Sequence, residues 1–238
     1  MNENEQTFLA TFDFSKISEN IEAVRAEREA EDAREREAAE QLRRRKLWKE
    51  ALETIPEIYK ETLKAGALDC SGRWGYAYDL ARAWLKESGF ISIVGPTGVG
   101  KSTMAAALCR EAVLAEGYSA EWYRMDSVLM QIQQTFTARR ADEYRRWNTQ
   151  MQAIDDLCKP KLLILDDFNN RTDWAENTIY EILSKRYETG RGSKKRITII
   201  TSNRQGTEFD GLFRLAMADR IRACRHMIEF AENTPSRR

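Results

Sequence analysis

Residues 89–117 of this 238-residue chain read GFISIVGPTGVGKSTMAAALCREAVLAEG. The stretch begins with apolar residues typical of a buried strand, passes through a glycine-rich turn, and ends in alanine-rich sequence typical of a helix. We predict a strand over 90–94 and a helix over 101–115. Between them, GPTGVGKS (95–102) matches the pattern GxxxxGK[ST] in the strand-turn-helix setting that this motif requires.

The glycine-rich turn predicts a phosphate-binding loop for ATP with Mg²⁺. Its glycines let successive backbone N–H groups point at a phosphate, and the helix N-terminus adds partial positive charge. We expect Lys101 to reach the β- and γ-phosphates and the Ser102 hydroxyl to ligate Mg²⁺. The predicted nucleotide-binding residues of the loop are Gly95, Pro96, Thr97, Gly98, Val99, Gly100, Lys101, Ser102 and Thr103. The structural alternative is a glycine turn without a ligand.

A second apolar run, KLLILDD (161–167), ends in two carboxylates. It is typical of a buried parallel strand whose C-terminal end presents acids to a site. We expect Asp166 to hold Mg²⁺, directly or through water, and Asp167 to orient and deprotonate the attacking water. Such a strand end is also a common structural feature, and the upstream phosphate loop favours the functional interpretation.

A third run, RITIITSN (196–203), is apolar and β-branched and ends in a polar amide. In an open parallel sheet, ligands bind at the C-terminal ends of the strands. We therefore expect Asn203 to hydrogen-bond the attacking water or the γ-phosphate. The alternative is that Ser202 and Asn203 only start a turn.

The segment before the phosphate loop predicts a long helix. Residues 18–64 are rich in Ala, Glu and Arg and contain one proline, Pro56, at which we expect the helix to break. Its apolar positions are too sparse for a coiled coil, so it is either a solvated spacer or a partner-docking arm. The anchoring side chains of an arm would be Phe8, Phe12, Phe14, Ile17 and Ile21.

Composition excludes several classes of protein. No apolar run approaches the roughly 18 residues that cross a bilayer, and we expect no secretory signal. Four scattered cysteines form no zinc motif, and they favour a reduced, cytoplasmic compartment. The 38 basic and 38 acidic residues cancel, which argues against a bulk polycation, but residues 1–40 carry 12 acidic and 5 basic residues. The body of the chain is therefore basic.

In this order, GPTGVGKS, LLILDD and TIITSN resemble the AAA+ class of P-loop ATPases. They resemble more closely the bacterial replicative-helicase loaders typified by DnaC and the related transposition helpers typified by IstB. The segments IPEIYKET, IYEILSKRYETG and MADRIRAC add to this resemblance, which covers about 55–238. It implies an α/β fold: a P-loop AAA+ core at 55–238, with a parallel sheet flanked by helices, preceded by a charged helical arm at 1–54.

The resemblance also implies roles for arginines near the end of the chain. Arg220 matches the arginine finger that such ATPases insert into a neighbouring subunit's site. Arg237 or Arg238 matches a second, nucleotide-sensing arginine. Because 18 residues follow Arg220, we expect no full helical lid. Without the resemblance, a surface ion pair of Arg220 with Asp219 or Glu229 is the simpler interpretation.

The sequence departs from the family pattern in the acidic segment. Asp167 stands where many motors of the class have Glu, and Asn169 and Asn170 replace a common Leu-Gly. We therefore expect slow hydrolysis, with the nucleotide acting as a switch between assembled and released states.

Residues 137–147, TARRADEYRRW, interleave arginines with aromatic residues. In the loader family this region faces the oligomer's channel, and single-stranded DNA would need arginines for phosphates and Tyr144 and Trp147 for base stacking. The alternative is a solvated helix. The candidate DNA contacts are Arg139, Arg140, Arg145 and Arg146. A second basic run at 191–196 is either a solubilising loop or a further part of a DNA path.

These features give one leading function and three alternatives. The leading hypothesis is an ATPase that self-associates with nucleotide at subunit boundaries, grips a hexameric replicative helicase through its N-terminal arm, and loads it on single-stranded DNA. A transposition helper is the alternative within the same class. A small-molecule kinase and a nucleotide-switched adaptor without catalysis are the alternatives from other classes.

Overall fold

A computed structural model describes residues 14–64, 68, 70–87, 89–137, 146–169, 172–190, 195–213 and 215–236. The helices are α1 (Phe14–Thr54), α2 (Glu57–Lys60), α3 (Gly72–Trp84), α4 (Lys101–Leu114), α5 (Met125–Thr137), α6 (Gln150–Leu157), α7 (Asp173–Thr189), α8 (Gly206–Asp210) and α9 (Leu215–Ala223), with a 3₁₀ turn at Glu61–Leu63. The strands are β1 (Gly89–Val94), β2 (Ala120–Arg124), β3 (Leu162–Asp166), β4 (Ile197–Ser202) and β5 (Arg225–Glu229).

The strands form one parallel sheet in the order β2-β3-β4-β1-β5. The predicted strands at the phosphate loop, the acid pair and the terminal amide are confirmed as β1, β3 and β4. Their register places Val94 beside Ser202, and Arg124 beside Asp166. Because the strands are parallel, the polar residues at their C-terminal ends all lie at the same end of the sheet.

Helices cover both faces of the sheet, which explains the continuous apolar runs of its central strands. Along β3, Leu163 and Leu165 pack on one side with residues of α5, α6 and α7. Leu162 and Ile164 pack on the other side with residues of α3 and α4. Side chains of successive strand residues point to opposite faces, so both sets must be apolar.

Two compact units divide the chain, Met1–Arg43 and Arg44–Arg238. The described side chains of the first unit, in α1, are almost all exposed, and pairs such as Glu40 with Arg43 support the helix. The helix ends at Thr54, before Pro56, as predicted. The candidate anchors Phe8 and Phe12 lie outside the described residues, as do the side chains of Phe14, Ile17 and Ile21. No described helix is long and apolar enough to cross a membrane.

The last turns of α1 belong to the second unit and pack on it. The guanidinium of Arg44 donates to the carbonyls of Leu114 (3.0 Å) and Ala115 (2.8 Å) and so caps the C-terminal end of α4. The backbone N–H of Trp122 on β2 donates to Thr54 Oγ1 (3.0 Å). Because β2 is an edge strand, this bond also satisfies a backbone donor that would otherwise be exposed at the edge.

A buried arginine ties α7 to the strands. Arg186 is 1% exposed and donates to Thr198 Oγ1 (2.8 Å) and to the backbone carbonyls of Leu157 (2.9 Å), Pro160 (3.0 Å) and Ile197 (2.7 Å). Burial disfavours the charged form and lowers the pKa of this side chain, and the surrounding oxygens offset that cost. Arg186 therefore joins the loop before β3, the start of β4 and α7 in one network.

We predict that Arg186→Lys lowers the free energy of unfolding by about 2–4 kcal/mol, because one ammonium cannot satisfy the acceptors that a guanidinium fork reaches. Denaturant unfolding followed by tryptophan fluorescence measures the change. The control is Arg204→Lys, in an exposed i,i+4 pair with Glu208, which we expect to change stability by less than about 0.5 kcal/mol. Equal unfolding midpoints for the two variants would contradict the structural role.

Candidate nucleotide-binding site

The glycine-rich loop between β1 and α4 has the backbone of a phosphate cradle. Gly95, Gly98 and Gly100 have φ of 146°, 92° and 87°, a region that side chains disfavour. A Cβ on Gly95 would also lie 2.7 Å from Cβ of Phe230. The loop therefore requires glycine at these positions, and it ends at the N-terminus of α4, where backbone N–H groups are free for an anion.

Lys101, at the start of α4, and Asn203, directly after β4, meet at this loop. Lys101 is 7% exposed, and its Nζ donates to the carbonyls of Gly95 (2.8 Å) and Pro96 (2.7 Å) and to Asn203 Oδ1 (2.8 Å). Burial lowers the pKa of the ammonium, while the charges of Asp167 and Asp166 act in the opposite direction. All three donors of the ammonium are thus used by neutral oxygens.

Ser102 and Asp166, the two residues expected to hold Mg²⁺, also meet. Ser102 Oγ donates to Asp166 Oδ1 (2.7 Å), and Thr201 Oγ1 donates to the same oxygen (2.6 Å). Asp166 is 2% exposed, and burial raises the pKa of its carboxyl against the effect of these two hydroxyls. Sequence reasoning missed Thr201, although its position two residues before Asn203 was a usable signal.

The oxygen donors of Ser102 and Asp166 fit Mg²⁺, which prefers carboxylate and hydroxyl oxygens. Across the described residues, no group of three or more His, Cys, Asp or Glu side chains could hold a metal ion. A magnesium ion held by this pair would therefore take its remaining ligands from phosphate and water, which is its usual arrangement with nucleotides.

Asp167 follows β3 in an unusual backbone conformation. Its φ is 57°, in the left-handed region, and its backbone N–H donates to Thr201 Oγ1 (3.0 Å). For a residue other than glycine this conformation costs about 1–2 kcal/mol. The carboxylate lies 3.4 Å from a guanidinium nitrogen of Arg124, at the end of β2. Arg124 was not predicted, because β2 carries no polar motif at its end.

Asn169, noted as a departure from the family pattern, connects two strand ends. Its Oδ1 lies 3.0 Å from Ser202 Oγ and accepts from the backbone N–H of Asn203 (3.3 Å). The Ser202 hydroxyl also contacts the carbonyl of Phe168 (2.7 Å). Asn169 therefore helps to position the residue that contacts Lys101.

A cavity of about 990 Å³ adjoins the loop at Val99, Gly100 and Thr103. Its walls come from the 3₁₀ turn, from α3 and from residues 228–236. Trp74 is 5% exposed, lines this cavity, and donates from Nε1 to the carbonyl of Gly100 (3.4 Å). The cavity is as large as small-ligand sites usually are, and it opens beside the phosphate cradle.

Arg220 lies on α9 against α7. Its guanidinium is 3.4 Å from Ser184 Oγ, 3.8 Å from Glu188, and 5.9 Å from the ring centre of Tyr187. The alternative partner Asp219 pairs instead with Arg222, at 3.4 Å. Its role as an arginine finger stays a prediction, as does the sensing role of Arg237 or Arg238, which lie outside the described residues.

Of the candidate DNA contacts, Arg139, Arg140 and Arg145 lie outside the described residues, as does Tyr144. Arg146 pairs with Glu121 (2.9 Å) and covers the ring of Tyr123 at 5.1 Å. Trp147 is 2% exposed, and its Nε1 donates to Asp156 (3.1 Å). The prediction that Trp147 stacks on bases is therefore wrong for this structure, because its ring fills the core.

Solved structures share this fold. The DnaC helicase loader aligns with a TM-score of 0.58 at 14% identity, over 74% of this chain and 99% of DnaC. DnaA of Aquifex aeolicus bound to AMPPCP aligns with a TM-score of 0.56 at 19% identity, over 71% of this chain and 50% of DnaA. DnaI aligns with a TM-score of 0.54 at 18% identity, over 74% of this chain and 94% of DnaI. The predicted α/β fold, with a parallel sheet between helices, is confirmed.

Sequence comparison adds relatives and a family. A protein of Mycobacterium tuberculosis named as an ATP-binding protein in an insertion sequence is 32% identical over 82% of this chain and 70% of its own length. An insertion sequence ATP-binding protein of Sinorhizobium fredii is also 32% identical, over 75% of this chain and 57% of its own length. The profile of the family described as IstB-like ATP binding protein matches residues 15–237. The chain therefore belongs to the family of IstB-like ATP-binding proteins.

Proposed function

We propose that this chain binds ATP with Mg²⁺, hydrolyses it slowly, and uses the nucleotide state to assist DNA transposition. The observation that carries the ATPase proposal is the meeting of two pairs, Lys101 with Asn203 and Ser102 with Asp166, at one edge of the sheet. The residues of these pairs come from the start of α4 and from the ends of β3 and β4, and each pair contains one residue type that phosphoryl transfer requires.

Phosphate binding would change the partners of Lys101. Its ammonium is now held by two loop carbonyls and by Asn203, and all three contacts are weaker acceptors than a phosphate oxygen. The β- and γ-phosphates would take over these donors and release the Asn203 amide for the attacking water. The nucleoside part would occupy the cavity beside Gly100 and Trp74.

Asp167 would act as the general base. Its carboxylate is partly exposed at the end of β3, next to the buried Asp166, so it can accept a proton without leaving the site. The pair with Arg124 and the left-handed backbone both restrict this carboxylate. The guanidinium of Arg124 would compete with the attacking water for this carboxylate, which agrees with slow hydrolysis. Magnesium would supply charge neutralisation of the phosphates when bound.

The assembly part of the proposal rests on similarity. Relatives named as insertion sequence ATP-binding proteins favour a transposition helper whose partner is a transposase. Self-association would place Arg220 of one subunit at the nucleotide of the next, and single-stranded or duplex DNA would follow the basic residues near Arg146. The second candidate is a helicase loader, which the fold shared with DnaC and DnaI favours.

We predict that Lys101→Ala weakens ATP binding by about tenfold or more, because it removes charge-assisted hydrogen bonds to phosphate. Calorimetric titration with ATP and Mg²⁺ measures this. The matched control is Lys159→Ala, which removes an exposed lysine paired with Asp156 and should bind ATP like the wild type. Tight binding by folded Lys101→Ala protein would show that the phosphates lie elsewhere.

Asp167→Asn should retain ATP binding and lower the rate of hydrolysis by about 100-fold or more, since an amide cannot accept the proton of the attacking water. Phosphate release under single-turnover conditions, with and without DNA, measures the rate. The control is Asp155→Asn, which removes a surface partner of Lys185. An undiminished rate for Asp167→Asn would remove this residue from the mechanism.

The two candidate partners are distinguished by gel filtration in ATP. The purified chain is mixed separately with the transposase encoded nearest to it and with the replicative helicase of the same genome. We expect co-elution with the transposase, dependent on ATP and lost in Lys101→Ala. A complex with the helicase alone would reject the transposition proposal and favour the loader.

A further inference from the structure

The ladder between β3 and β4 stops before the end of β4. The two strands pair in register as far as Leu165 with Ile200, whereas β4 continues to Ser202. The left-handed backbone at Asp167, with φ of 57°, ends the extended conformation of the first chain. As a result, no backbone carbonyl among the described residues accepts from the N–H of Asn203, directly after β4.

The side chain of Asn169 supplies the acceptor that this ladder lacks. Its Oδ1 accepts from the backbone N–H of Asn203 (3.3 Å) and lies 3.0 Å from Ser202 Oγ. A backbone N–H can only donate, so the Asn169 atom that faces Asn203 must be the amide oxygen and not the nitrogen. This oxygen takes the place of the carbonyl that a longer β3 would present to β4.

Two hydrogen bonds restrain Asn203 within the described part of the chain. One joins its side-chain Oδ1 to Lys101 Nζ (2.8 Å), and the other joins its backbone N–H to Asn169. Asn203 is itself exposed, so packing adds little to these two bonds.

ATP would remove one of the two restraints. In the proposed complex the phosphates take the ammonium of Lys101, and the side-chain amide of Asn203 is released to the attacking water. The bond to Asn169 uses the backbone N–H of Asn203 and does not take part in that exchange. In the occupied site, Asn169 therefore still holds Asn203 after Lys101 has changed partners.

We propose that Asn169 is a positioning residue that keeps Asn203 directed at the attacking water once ATP has taken Lys101. The inference rests on the proposed hydrolysis of ATP and adds to it the stage at which Asn169 acts. ATP binding does not depend on Asn169, because the loop and Lys101 hold the phosphates. Hydrolysis does depend on it, because a displaced Asn203 orients the water less well.

Asn169→Ala removes the acceptor and leaves Asn203 itself in place. Because Asn203 is exposed, water can accept from the freed N–H, and the variant should unfold at the wild-type temperature. N-methylanthraniloyl-ATP with Mg²⁺ should bind within about twofold of wild type, and the KM for ATP should change as little. The kcat should fall about three- to tenfold, the effect of one lost hydrogen bond.

ADP with aluminium fluoride imitates the phosphoryl group during transfer and gives a readout that does not depend on turnover. N-methylanthraniloyl-ADP with aluminium fluoride should bind Asn169→Ala about three- to tenfold more weakly than the wild type. The same probe without fluoride should bind the two proteins equally, because Asn203 then has no transferring group to contact.

Asn203→Ala tests whether Asn169 acts through Asn203. We expect the double variant with Asn169→Ala to hydrolyse ATP at the rate of Asn203→Ala alone, because the amide that Asn169 positions is already missing. The matched control is Gln152→Ala. Gln152 Oε1 also accepts from a backbone N–H, that of Asn148 (3.1 Å), but on an exposed surface at the start of α6. This control should keep the wild-type kcat.

The outcomes separate the positioning role from the proposed function. If the wild type hydrolyses ATP and Asn169→Ala has the same kcat, the positioning role is rejected and the ATPase stands. If Asn169→Ala unfolds at a lower temperature and its loss of rate adds to that of Asn203→Ala, Asn169 only supports the fold, and the proposal is rejected. If the wild type hydrolyses no ATP, the proposed ATPase fails and the role of Asn169 fails with it.

Discussion

Burial of one carboxylate places the strongest constraint on this structure. Asp166 is 2% exposed at the end of a strand with neighbours on both sides, and a buried carboxylate costs several kcal/mol unless hydrogen bonds replace its water. Two hydroxyls donate to a single oxygen of this group, Ser102 from the start of α4 and Thr201 from β4. The carboxylate therefore fixes the phosphate loop, β3 and β4 relative to one another.

The same hydrogen bonds hold the two acids of the site in place. Thr201 donates to Asp166 and accepts from the backbone N–H of Asp167, so it holds both acids. The left-handed backbone conformation of Asp167 is held by the hydrogen bond from its backbone N–H to Thr201 on β4. A site whose side chains are already held in this way loses little conformational entropy on binding. Less of the free energy of binding is then used to order the site.

Sequence reasoning predicted those parts of the fold and site that have a local pattern. Apolar runs with polar ends located β1, β3 and β4, and parallel topology then brought Lys101 to Asn203 and Ser102 to Asp166. The strand β5 was missed because only Ile228 of it is buried, so it lacks an apolar run. Arg124 was missed for another reason. Its contact with Asp167 depends on which strands become neighbours, and no spacing along the chain encodes that.

Two buried basic residues, Arg186 and Lys101, differ in whether a ligand could displace their hydrogen-bond acceptors. Arg186 and Lys101 are both almost fully buried, and each is surrounded by oxygens without a direct ion pair among the described residues. The acceptors of Arg186 are the Thr198 hydroxyl and backbone carbonyls in and next to regular elements, and a ligand could not displace them without disturbing those elements. Those of Lys101 are two carbonyls of a glycine loop and one side-chain amide, which a phosphate can displace while the sheet stays intact. Exchangeable partners, more than burial or charge, therefore distinguish Lys101 from Arg186 and support the proposal that Lys101 binds the phosphates.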